Sequence, residues 1–200
     1  ERAVELGEKL GAGEVEAYAT LEDLREVDFT DKIESVATSS STGLGVRLAL
    51  GKKLGLYSTS LITMIEIERA VEKALAVAKV SKPDRDWVSL PTKYGKSSVE
   101  QIFDRDVVEL DPSMLSDKAT EIIDTVQSFD KRTTITRGSI TVGEMRVAIS
   151  NTHDCNLERK STSASASVTV KAEEAGEKGQ SSESCQRSRW REIDFHDLST

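Results

Sequence analysis

The sequence predicts an α+β fold, a mainly antiparallel β-sheet with helices packed on one face. Three observations carry that expectation. Gly43 to Ser58 reads as strand, turn and strand, and a capped helix follows at once. Thr162 to Ala172 alternates strictly with period 2. Two further stretches, opened at Thr63 and at Asp111, repeat apolar residues at helical spacing. Strands that follow one another through turns, interleaved with a few helices, belong to an antiparallel sheet and not to a doubly wound one.

In order along the chain, Glu1 to Leu10 is expected as a short helix that ends at Gly11 and Gly13. Glu14 to Thr20 alternates Val15, Ala17 and Ala19 against Glu16 and Tyr18. Leu24 to Thr30 is a second strand, with a turn at Asp31-Lys32 before Ile33 to Val36. The run Ser39 to Thr42 reads as a polar loop or an edge strand. In the hairpin, Leu44, Val46, Leu48 and Leu50 share one face, Gly51-Lys52-Lys53 turns the chain, and Leu54 and Leu56 follow in the second strand, giving the hairpin one apolar face. Thr63 and Glu66 form the ends of a capping box. The helix behind it presents Ile67, Val71, Ala74, Leu75 and Ala78 as its buried stripe.

Residues 81–110 hold two of the three prolines together with Trp87, Tyr94 and Phe103, and read as an irregular connection that packs its aromatics back on the domain. Asp111 then caps a helix with Pro112 in its first position, and Leu115, Ala119, Ile122, Val126 and Phe129 form the buried stripe. Thr133 to Val142 and Met145 to Ile149 are expected to pair around Gly143-Glu144, with Met145, Val147 and Ile149 inward. In the strand from Thr162 to Ala172 the even positions are small and face inward, so a helix is expected close against them. Glu173 to Gly179 is read as a charged turn and Gln180 to Trp190 as a final strand.

Two hundred residues are enough for one sizeable core, burying about 70% of the unfolded chain's surface, and a single domain over 1–200 is expected. Aromatic residues are 4% of the chain, too few for a large aromatic-lined ligand pocket. The formal net charge is −8. That sign opposes direct binding to nucleic acid, whose phosphates need clustered Lys and Arg. No apolar run approaches the roughly 20 residues of a membrane span, and no signal pattern opens the chain, so a cytoplasmic address without membrane contact is expected. Cys155 and Cys185 are too far apart for a Cys-x-x-Cys site and are read as reduced thiols.

Several segments, taken in order, resemble the N-terminal region of the PmbA/TldD family, known as modulator of DNA gyrase, which contains zinc metallopeptidases. They are the strand Gly43 to Arg47, the Lys52-Lys53 turn, the strand Gly55 to Ser60 and the helix Ala70 to Lys79. Glu14 to Tyr18 is similar to the first family strand, Ser81 to Asp84 to the linker after the first long helix, Asp104 to Leu110 to the lead into the second helix, and Ala148 to Thr152 to a strand end. The resemblance implies a cytoplasmic peptidase assembly, with a second family subunit as homo- or heterodimer partner and an unfolded or extended peptide as substrate. Metal-bearing members carry a His-Glu-x-x-x-His helix, two imidazoles on one helical face plus a carboxylate that activates water. Here only His153 and His196 occur, and neither stands in such a motif. The implied reading is the front half of a family member without its catalytic half, as in a fragment, with zinc only in that half or in a partner subunit. Ala-Leu-Ala-Val-Ala-Lys followed by Ser-Lys-Pro-Asp places it nearer the PmbA-like, non-metal subunit.

No residue is assigned a catalytic, cofactor-binding or metal-binding role. His153-Asp154-Cys155 has the chemistry of base, acid and nucleophile, but neighbours in an extended segment point to opposite faces, so a turn or strand end is the expected reading. His196, beside Asp194 and Asp197, is read as part of a solvated tail. Gly43-x-Gly45 lacks the third glycine of a dinucleotide fingerprint, since Leu48 stands there, and enters a strand instead of a helix. Arg47 lies out of phase with the leucines and is a candidate contact for a partner or substrate. Ser163, Ser165, Ser167 and Thr169 form a hydroxyl face suited to an extended peptide, or, in a non-enzymatic alternative, to a protein partner.

Overall fold

Strands β1 (Glu14–Phe29), β2 (Ile33–Leu50), β3 (Lys53–Thr59), β4 (Thr133–Asn151), β5 (Asn156–Glu174) and β6 (Glu177–Arg187) form one antiparallel sheet. Their order is β3-β2-β1-β4-β5-β6. The helices are α1 (Arg2–Lys9), α2 (Met64–Val80), α3 (Arg105–Glu109) and α4 (Pro112–Phe129). This computed structural model describes residues 1–95 and 97–196. The expected α+β class holds.

The strands are longer than the sequence suggested. Glu14 to Phe29 is one strand, the serine run lies inside β2, and Gly143-Glu144 lies inside β4. None of these places has a cis peptide or a positive φ to turn the chain. Gly143 serves close approach: a Cβ there would come 2.4 Å from the Leu24 side chain. Val142, Gly143 and Glu144 are buried in succession, which breaks the alternation and leaves Met145 half-exposed, not inward as expected. The charged turn is tighter than 173–179. Ala175 (φ 51°) and Gly176 (φ 90°) alone connect β5 to β6, the positive-φ pair that a two-residue hairpin requires.

The chain divides into two compact units, the first comprising residues 1–22, 41–98 and 146–159, the second 23–40, 99–145 and the residues from 160 onward. In the first unit β2 and β3 pair from Leu44 opposite Thr59 to Leu50 opposite Lys53. Residues directly opposite share a face, so Leu44, Val46 and Leu48 face inward together with Thr59, Tyr57 and Gly55. Leu54 and Leu56 therefore fall on the other face, opposite Ala49 and Arg47, and Leu56 is largely exposed; the sequence reading had set them with the leucines of β2. Val15 and Ala17 of β1 complete the inner face.

Thr63 caps α2, its hydroxyl accepting from the Glu66 N–H at 3.3 Å, while the Glu66 carboxylate pairs with Arg69. Ala70, Val71, Ala74, Leu75 and Ala78 are buried; Ile67 is partly so. The alanines let the helix sit on β3 at Gly55, where a Cβ would lie 1.9 Å from the Ala74 carbonyl oxygen. Ala3 and Val4 of α1 close the same cluster.

In the second unit Asp111 caps α4 by accepting from the Ser113 N–H at 2.9 Å, with Pro112 in the first helical position. Leu115, Ala119, Ile122, Ile123 and Val126 pack in one cluster with Phe29, Ile135, Ile140, Ala164, Ala166 and Val168. The small inward residues of β5 thus meet a helix, as expected. Ala172 and Phe129 are exposed, against expectation. Phe129 is the last residue of α4, and the chain turns away at Asp130, whose carboxylate holds Arg132 at 2.6 Å and is lowered to about 2 by those bonds. The described residues between 82 and 104 form no helix or strand; the short α3 that follows, capped by Asp104, was not foreseen.

Candidate functional site

Period-2 alternation in β1 buries Val15 and Ala17 and turns Glu14 and Glu16 to the outer face of the first unit. Arg47 comes to the same face from β2 and binds Glu16, Nη2 to Oε1, at 2.7 Å. Its guanidinium also stands 5.7 Å from the centre of the Trp87 ring, a cation–π arrangement. The Arg47 Nε is buried without a hydrogen-bond partner.

A strap of irregular chain, residues 84–94, is fastened over this face. The Asp84 N–H donates to the Lys52 carbonyl at 2.8 Å and the Lys52 ammonium donates to the Arg85 carbonyl at 2.7 Å. Leu90 is buried and its N–H donates to Glu14 Oε1 at 3.1 Å. Asn151 donates to the Pro91 carbonyl at 3.2 Å and the Tyr94 hydroxyl donates to the His153 carbonyl at 2.9 Å. The strap is anchored by Leu90; Trp87 lies against Arg47 as the sequence reading has it, while Tyr94 in this unit and Phe103 in the other are half-exposed.

His153, Asp154 and Cys155 lie in the turn between β4 and β5. Asn151 Oδ1 accepts from the His153 and Cys155 N–H groups at 2.8 and 3.3 Å, and Asp154 takes φ 57°. The three side chains form no triad. His153 Nε2 meets Glu14 Oε1 at 2.8 Å, with both groups partly shielded. Cys155 is buried, and burial first, then the Glu16 charge, pushes its thiol up and away from the reactive thiolate. What remains chemically is a carboxylate–imidazole pair and an Arg–Glu pair beneath a tethered strap. That arrangement can bind and orient, but it presents no activated nucleophile.

Glu14 is the centre of this cluster and was not singled out from the sequence as a site residue. The period-2 acids at 14 and 16 were the available signal; the partners of Glu14, Leu90 and His153, lie far away in sequence and gave no sign of the contact.

The hydroxyl face expected on β5 lies inside the sheet. β6 pairs with β5 from Ala164 opposite Arg187 to Glu174 opposite Glu177. Ser165 donates to the Thr141 carbonyl at 3.5 Å and Thr169 bonds the Ser182 hydroxyl at 3.0 Å. Ser163, Ser165, Ser167 and Thr169 are half-buried within the sheet. His196 lines a shallow groove with Lys118, Glu121, Ile122, Thr125 and Phe195. Asp197 lies outside the described residues.

Among the described residues no three His, Cys, Asp or Glu side chains converge as a metal site. A zinc site needs three or four such donors, and the His153–Glu14 pair supplies two, so these residues do not fit a resident zinc.

Comparison with known proteins gives two successive matches to one family. Residues 30–78 match the PmbA/TldA metallopeptidase domain 1, and residues 105–199 match the PmbA/TldA metallopeptidase central domain. The chain belongs to the PmbA/TldD family. A curated family relative, the metalloprotease PmbA homolog of Haemophilus influenzae, is 37% identical over 82 residues, which is 41% of this chain and 18% of that protein. Among solved structures, TldE from Thermococcus kodakarensis has a TM-score of 0.90 at 21% identity, over 98% of this chain and 44% of the other. A structure described as a candidate modulator of DNA gyrase, from Bacteroides thetaiotaomicron, has a TM-score of 0.86 at 16% identity, over 98% and 46%. This PmbA/TldD chain thus spans less than half the length of the structures it matches, and those likenesses establish its fold. No helix among the described residues is long and apolar enough to cross a membrane.

Proposed function

We propose that this chain works in a cytoplasmic PmbA/TldD-type metallopeptidase assembly, on the side of the non-metal subunit, where it supplies subunit association and part of the wall around an unfolded or extended peptide. The single observation behind this reading is the consecutive match to the first and central domains of one metallopeptidase family. The curated relative named for PmbA favours the PmbA-like side. In this reading zinc sits in the catalytic half or in a partner subunit, where the His-Glu-x-x-x-His helix of the metal-bearing members supplies its donors.

The test is elemental analysis of the dialysed chain together with an assay on an unstructured peptide. The expected outcome is no stoichiometric zinc and no cleavage. One zinc per chain, lost on replacing His153 or His196, would overturn the reading.

A further inference from the structure

β3 pairs with β2 only from Leu44 onward. The neighbours of β2 in the sheet are β3 and β1, so the earlier part of β2 is an open edge on the β3 side. Within the second unit that edge is residues 33–40, roughly 26 Å of extended chain at about 3.3 Å per residue. Every residue in it is exposed, including Ile33 and Val36.

An open edge is a row of unpaired N–H and C=O groups, and proteins normally guard it with charge, proline or a bulge. The opposite edge of the sheet is guarded so, since β6 carries Glu177, Lys178, Glu183 and Arg187. The segment Ile33-Glu34-Ser35-Val36-Ala37-Thr38-Ser39-Ser40 has one charge and no proline. Glu34 is in turn held by the Thr30 hydroxyl at 2.8 Å, and Ser35 donates to Asp28 at 3.0 Å.

We propose that residues 33–40 pair antiparallel with the same segment of a second copy of this chain. A twofold pairing centred on Val36 sets that valine against its own copy, Ser35 against Ala37 and Glu34 against Thr38. No like charges are then opposed, and β-branched and hydroxyl residues meet, which favours cross-strand contact. A second copy is the matched occupant because the segment is self-complementary in this register. The inference rests on the association reading above, taken in its homodimer form.

The experiment is analytical ultracentrifugation of the whole chain and of Val36→Glu, joined to hydrogen exchange at low and high protein concentration. Val36 is half-exposed, so the fold should accept the glutamate. In the dimer the substitution would face two glutamates across the axis, each beside the partner's Glu34. The expected result is a dimer whose dissociation constant rises roughly tenfold or more in the variant, partly restored by salt. Amides of 33–40 should gain protection with concentration in the unmodified chain, a readout that does not need the variant. A chain that stays monomeric, or a dimer indifferent to Val36→Glu with unchanged exchange at 33–40, overturns the edge pairing. The second of those outcomes leaves subunit association itself standing.

Discussion

Replacing Gly55 with alanine should cost on the order of 3 kcal/mol or more, the upper end of what overpacking does. The added methyl would lie 1.9 Å from the Ala74 carbonyl oxygen and 2.8 Å from the Ala78 nitrogen. Both are backbone atoms, so no side chain can swing aside and α2 must lift from β3. The consequence spreads to Val46, Leu48 and Val71, which share that core. With a urea slope of about 1–3 kcal/mol/M, the midpoint should fall by roughly a molar or more. Gly179→Ala is the control: it meets open space at ordinary φ and should change stability by no more than about 0.5 kcal/mol. An unchanged midpoint in Gly55→Ala would show that α2 does not seat on this glycine.

Phe29→Ala should cost about 3–5 kcal/mol, because the ring is fully buried at the end of β1 and its removal leaves a cavity in the core. Gly138 makes room for it; a Cβ there would stand 2.2 Å from the Phe29 ring. Gly138→Ala alone is therefore also destabilising. Combined with Phe29→Leu it should lose less than the two separate losses together, since the smaller side chain vacates the space that the methyl enters. Strict additivity in denaturant unfolding would contradict that packing.

The sequence was most legible where a short-range rule decides. The cap at Thr63, the cap and proline at Asp111-Pro112, the turn at Asp31-Lys32 and the inward alternation through Ala164, Ala166 and Val168 all hold. It misled where pattern and pairing part. Leu54 and Leu56 are leucines in a hairpin, yet the register set by the Gly51 turn puts them across from Ala49 and Arg47, with glycine facing the helix. Gly143 read as a turn, although its role is to admit Leu24.

The site was legible only in fragments. The turn reading of His153-Asp154-Cys155 is what the structure has, but the Glu14–His153 pair joins residues 139 apart in sequence, and no local pattern announces such a contact. Arg47 was marked as an outer-face residue, yet its pairing with Glu16 and its place over Trp87 depend on the strap.

The most direct test of the proposed role is reconstitution with a family subunit that carries the His-Glu-x-x-x-His helix. The two are mixed, the mass of the complex is measured by light scattering, and cleavage of an unfolded peptide is followed. The proposal predicts an equimolar complex and faster cleavage than by the metal-bearing subunit alone. Two species that elute separately, with cleavage unchanged by this chain, would contradict it.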